Sequence, residues 1–132
     1  MVIDDLLKER IISQSKLVLP EILPQGEWFV DLRNHNEASA QLLAENSTPV
    51  ARVICEIKGT LRSKVAIPTS YTIYEENSLP NGNTETVHNT YRIMNKESSF
   101  FLGGYVIKDK DGQRIEQGTI NENGERFPFR FE

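Results

Sequence analysis

The chain has 132 residues, 38% of them hydrophobic and 26% charged, with a formal charge of −4 and a pI near 5.3. That length closes one core and is too short for two, and the composition argues against wholesale disorder and against a membrane protein. The fifteen Lys and Arg residues are scattered with no basic run, so no nucleic-acid partner is expected, because phosphate neutralisation needs clustered positive charge.

Cys55 is the single cysteine, which rules out an intramolecular disulfide and makes a reducing compartment the simpler expectation. From Met1 to Arg10, the residues Asp4, Asp5, Lys8, Glu9 and Arg10 interrupt any apolar stretch of signal-peptide or membrane-span length. A cytoplasmic location with no membrane span is therefore expected. The sequon Asn46, Ser47, Thr48 matches a glycosylation acceptor but reads as a turn.

Ile3, Leu6, Leu7 and Ile11 recur at helical spacing, with Asp4 and Asp5 in the first turn, where the macrodipole favours acids. This predicts an amphipathic helix from about Ile3 to Lys16, ended by Pro20 and Pro24. From Glu27 the period becomes two. Trp28, Val30 and Leu32 share one face, and Glu27, Asp31 and Arg33 the other, with Phe29 as the exception. Asn34, His35 and Asn36 form a turn signal. Ala38–Glu45 carries helix-favouring residues between two turn clusters, a position that suits a hairpin strand better.

In Val50–Lys58, Val53, Cys55 and Ile57 alternate with Arg52, Glu56 and Lys58. Val65, Ile67, Tyr71 and Ile73 then alternate with Lys64, Ser70 and Thr72 in a long strand that Pro68 interrupts with a bulge or an edge. Asn77–Asn83 is a loop. Beyond it, Val87, Tyr91 and Ile93 oppose Thr86, His88, Thr90 and Arg92. Phe100–Ile107 is apolar on both faces and contains Gly103 and Gly104, so it is either covered on two sides, with the helix as the second cover, or bent where a side chain does not fit. Asp109–Gly112 and Asn121–Gly124 are tight hairpin turns around a strand, Gln113–Ile120, and the chain closes with Phe127, Phe129 and Phe131 alternating with Pro128 and Arg130.

The expected fold is mainly β within one domain, residues 1–132: an N-terminal helix within residues 1–19, then an antiparallel up-and-down meander of about eight strands over 26–132. A meander of this strand number commonly closes into a barrel, because closure removes its edges. The alternative is an α+β arrangement, as in cystatin-like folds, with the helix on a curved open antiparallel sheet and a pocket between the two.

Gly26, Glu27 and Trp28, just after the helix and opening the first strand, resemble the Gly-x-Trp start of the calycin families, which include lipocalins and avidins. The resemblance implies an up-and-down barrel closed at one end by Trp28, packed against a basic residue of a late strand, Arg126 or Arg130. Phe127, Phe129 and Phe131, if they point inward, put both arginines outward unless Pro128 breaks the register.

No motif for hydrolysis, phosphate binding or metal ligation occurs, and no cofactor is expected. His35 and His88 lack a metal-ligand spacing, Asp109 and Asp111 lack the remainder of a calcium loop, and Glu85 falls on the strand face opposite His88. In a barrel the candidate ligand-binding residues are Trp28, Cys55, Tyr71, Asn89 and Tyr91, the last three being the polar exceptions on an apolar interior. Asn89 is the most informative, since a buried amide must find partners and a ligand can supply one. Cys55, on an apolar strand face, reads first as a packing residue. Three functions follow: noncatalytic binding of a small apolar or amphipathic ligand; a protein-interaction module such as an inhibitor, assembly factor or subunit, using the sheet exterior or the N-terminal helix, with a homodimer or another protein as partner; and a cofactor-free enzyme in which Tyr71, Tyr91 or Asn89 orients substrate.

Overall fold

The computed structural model describes residues 5–20, 23, 25–60 and 63–129. The expected helix start at Ile3 and the residues Pro24, Arg130 and Phe131 lie outside the described residues. Helix α1 spans Asp5–Val18, with Asp5 in its first turn and Lys16 in its last, both complementing the dipole. It runs two residues beyond Lys16 and has ended by Pro20. Leu7, Ile11 and Ser15, each four residues from the next, form its buried stripe, whereas Leu6 is 55% exposed and lies off it.

The strands are β1 (Glu27–Asn34), β2 (Glu37–Leu43), β3 (Pro49–Lys58), β4 (Val65–Ser78), β5 (Thr84–Met94), β6 (Glu97–Lys108), β7 (Arg114–Ile120) and β8 (Arg126–Pro128). They form one sheet in chain order, every neighbouring pair antiparallel. The ambiguous segment after His35 is the strand β2. Among the described residues β1 pairs only with β2 and β8 only with β7, so hydrogen bonding does not close the sheet into the expected barrel. The alternative arrangement, a helix on an open sheet, is the one formed. Helix α1 packs on β1–β4, chiefly on β4, and so covers the face that a barrel would turn toward its lumen.

The core lies between that helix and those strands. Leu7, Ile11 and Leu19 share a buried cluster with Ala38, Ala40, Leu42, Ala51, Val53, Cys55, Ile57, Ala66 and Tyr71. Four alanines, together with Ser15, remove bulk from the contact and let the helix come close. The hydroxyl of Ser15 is satisfied within the helix, donating to the Ile11 carbonyl at 2.7 Å.

A bulge in β4 sets which side chains reach this core. Ile54 pairs with Ser70 but Cys55 pairs with Pro68, leaving Thr69 as the extra residue. Its hydroxyl donates to the Ile54 carbonyl at 3.2 Å. The bulge expected at Pro68 thus forms, and it reverses the faces before it. Ala66 is buried, while Val65 and Ile67 are 49% and 41% exposed and do not share the inner face with Tyr71 as the unbroken alternation implied.

Beyond the helix, the inner face of β5–β8 carries a smaller cluster of Val87, Tyr105 and Ile120 with Ile107 against it. Gly103 and Gly104 exist for their neighbours. Asn89 Oδ1 occupies the place that a Cβ on Gly103 would need, and His88 Nε2 stands 2.5 Å from the corresponding point on Gly104. Gly118 has a similar reason, since a Cβ there would meet the Phe127 carbonyl oxygen at 2.5 Å and Pro128 Cα at 2.8 Å. The close approach of β8 to β7 depends on it.

The hairpin turns repeat one design. The backbone N–H groups of Asp111 and Gln113 both donate to Asp109 Oδ1 at 2.9 Å, and those of Asn123 and Glu125 donate to Asn121 Oδ1 at 3.0 and 2.9 Å. Asp109 thus caps a turn. Asn46 does likewise for Thr48 N–H at 3.1 Å, so the sequon residues form a turn. Between β5 and β6 the two-residue turn Asn95–Lys96 has positive φ at both positions, 52° and 66°, the geometry that matches strand twist in a hairpin.

Candidate functional site

Trp28, Cys55, Tyr71 and Tyr91 lie in or against the main core cluster and Asn89 lies outside it, but Trp28, Tyr71 and Asn89 border different grooves. Cys55 is fully buried in the core, where desolvation raises its thiol pKa and a hydrogen bond with Ser15 opposes that rise. A thiol kept neutral and out of solvent is a packing residue. Trp28 is half-buried beside Leu19, Pro20, Leu23 and Leu42, along a groove of about 440 Å³ at the C-terminal end of α1. Gly26 precedes it because the backbone of Leu43 and Ala44 crowds the point where a side chain would begin.

Of the two partners that the calycin resemblance offers Trp28, Arg130 lies outside the described residues and Arg126 is engaged elsewhere. The guanidinium of Arg126 lies 4.8 Å above the Tyr105 ring and pairs through Nη1 with Glu85 Oε2. Glu85 also accepts from Asn77 Nδ2 at 3.2 Å, and Tyr105 donates its hydroxyl proton to Glu116 Oε2 at 2.8 Å. The Arg126 hydrogen bond, against the cost of burial, holds the Glu85 carboxyl below its ordinary pKa, while burial and then the Glu116 bond push the Tyr105 phenol up. This places Arg126 on the inner side of β8 and leaves Phe127 and Phe129 51% and 52% exposed, the reverse of the inward phenylalanines that the alternation suggested. The electrostatic pairing with Glu85, 41 residues away, decides that register.

Asn89 Oδ1 is buried without a hydrogen-bond partner. It lies against Gly103, close to where a Cβ on that glycine would stand. The residue borders a groove of about 590 Å³ with Ile73, Tyr74, Pro49, Val50 and the carboxylates Glu75 and Glu76.

Tyr71 and Tyr91 are the two candidates that the fold brings together. Their rings stack with centroids 5.1 Å apart, and Phe100 meets Tyr91 edge-on at 5.8 Å, giving an aromatic row across β4, β5 and β6. The Tyr71 hydroxyl donates to Ser98 Oγ at 3.2 Å. That bond lies on the wall of a groove of about 550 Å³ between the last turn of α1, the bulged start of β4 and the β5–β6 hairpin. Leu17, Val18, Ala66, Ile67, Pro68, Tyr71 and Ile93 supply its apolar wall, and Gln14, Asn95, Lys96 and Ser98 its polar groups.

Most of these residues escape a reading by periodicity. Leu17 and Val18 lie past the expected helix end, and Ile67 reaches the groove only because the bulge turns it off the core face. The turn Asn95–Lys96 lacks the glycine by which such turns are usually recognised. The unbroken apolar run Leu17-Val18-Leu19 was the one available signal.

Other clusters offer less chemistry. His35 is exposed in its turn, and His88 lies on the outer face beside Tyr74, ring centroids 6.3 Å apart. Among the described residues no three His, Cys, Asp or Glu side chains gather closely enough to hold a metal ion, and no helix is long and apolar enough to cross a membrane. In comparisons with known proteins the chain matches no family model, no curated protein and no solved structure.

Proposed function

We propose that the protein binds a small apolar or amphipathic molecule, without catalysis, in the groove between α1 and β4–β6. One observation carries the reading: a concavity of about 550 Å³ is walled by apolar side chains of helix and sheet, a size and lining suited to a small organic ligand. Leu17 and Ile67 beside it are 76% and 41% exposed, so an apolar ligand gains by covering them. The proposal moves the ligand from a barrel interior, which the core and α1 fill, to the helix–sheet groove.

Titration with the neutral dye N-phenyl-1-naphthylamine tests it. A single saturable site is expected, and Ile67→Asp or Leu17→Asp, both at exposed positions that leave the core intact, should weaken it about tenfold or more by setting a carboxylate against the dye. Unchanged affinity in both variants would place the dye elsewhere and remove the reading.

A second reading has its own observation. Pairing between β6 and β7 begins only at Gly103, so Glu97–Leu102 has no strand on its far side among the described residues. Beside that edge Phe101 and Leu102 are 44% and 52% exposed and, with Phe127, border a notch of about 380 Å³. A free edge flanked by apolar side chains favours strand addition by a protein, here a second copy of the chain.

A further inference from the structure

Resting on the groove reading above, we infer that the ligand is an amphipathic anion with a single apolar tail, and that Lys96 selects its headgroup. The groove is divided chemically. Leu17 and Val18 of α1 and Ala66, Ile67 and Pro68 of β4 form an apolar side, while Asn95, Lys96, Ser98 and the Tyr71 hydroxyl supply polar groups from the hairpin side. Among the described residues Lys96 is the only charged side chain on the groove, in a chain whose nineteen Asp and Glu outnumber its fifteen Lys and Arg. Among the described residues no carboxylate borders the groove and Lys96 makes no ion pair. Its ammonium is left to pair with a ligand.

Lys96 sits at φ 66°, the second position of a two-residue hairpin turn. Glycine is the favoured residue there, and any side chain makes the left-handed conformation unfavourable. A lysine held at that position against the local preference sets a cationic side chain on the border of an apolar groove. Strain of this kind accumulates where function needs a particular side chain. Next to it, Ser98 Oγ accepts from Tyr71, which leaves the serine proton available to a headgroup oxygen. A carboxylate or a phosphate head satisfies the same groups.

The test compares ligands that share a tail and differ in head charge: dodecanoate, dodecyl phosphate, dodecanol and dodecyltrimethylammonium, titrated calorimetrically below their micellar concentrations at mildly alkaline pH. Dodecanoate or dodecyl phosphate should bind about tenfold more tightly than dodecanol, and the cation more weakly than either. The order of the two anions then identifies the head. Lys96→Gly should bring both anions down to the affinity of dodecanol, leave dodecanol unchanged, and raise the melting temperature because the turn now has its preferred residue. Equal affinity for anion and alcohol in the native protein, or an anion preference that survives Lys96→Gly, would overturn this inference while leaving the groove reading intact. Failure of every tail to bind would overturn both.

Discussion

Glu85 shows how one side chain organises a distant part of the chain. Its carboxylate is buried on β5, yet it is satisfied by Asn77 on β4 and Arg126 on β8, and its ionised form is held by those partners against the cost of burial. Because the folded pKa is lowered, the stabilisation is present in full above the ordinary value of 4.5 and is lost as pH falls through the lowered one. Glu85→Gln should therefore lower stability by about 1–3 kcal/mol at neutral pH, leaving Arg126 without its anion. In denaturant titrations the variant should also show a flatter acid limb than the native protein. An identical pH profile for the two proteins would mean that the pair contributes nothing. At this scale the polar exceptions Tyr71, Asn89 and Tyr91 were legible as residues of the inner face. Their separate surroundings were not, because Asn89 lies against Gly103 of β6, a strand that no local pattern places beside it.

At the scale of elements, the strands were legible because their side chains alternate and their turns carry Asn, Asp and Gly at the positions that hydrogen bonding requires. The apolar double face of Phe100–Ile107 was legible too, but its explanation differs from cover by the helix. On the inner side Phe100 and Tyr105 pack in the aromatic row and the second cluster, and on the outer side Phe101 and Leu102 stay exposed. Bulges are harder to read. Pro68 announced one, but the sign of its effect, Ala66 inward and Ile67 outward, depends on where the extra residue falls relative to β3. The uncovered edge of β6 leads to a measurement on that element. Light scattering across a dilution series should show a concentration-dependent dimer, and Phe101→Lys with Leu102→Lys should abolish it by placing charge on the edge. A strict monomer throughout would remove self-association through this edge.

For the whole molecule, the decisive fact is where the helix sits. A meander of eight strands with Gly-x-Trp at its start is consistent with a closed barrel, and nothing in the periodicity of Glu27–Asn34 or Phe127–Phe129 separates closure from an open sheet. Closure is a relation between chain ends, carried by whether β1 meets β8, and those strands lie at opposite edges of the sheet. With α1 on β1–β4, the lumen of the expected barrel becomes a packed core. The concavity suited to a ligand shifts to the margin of that core, where helix, bulge and hairpin meet. Backbone amide chemical shifts during titration with dodecanol test this account most directly, since the alcohol reports the tail site whatever the headgroup preference. Saturable changes concentrated at Gln14–Val18, Ala66–Pro68 and Ile93–Ser98 are expected. Changes centred instead on Trp28 or Asn89, or spread along the inner strand faces as in a barrel lumen, would contradict it.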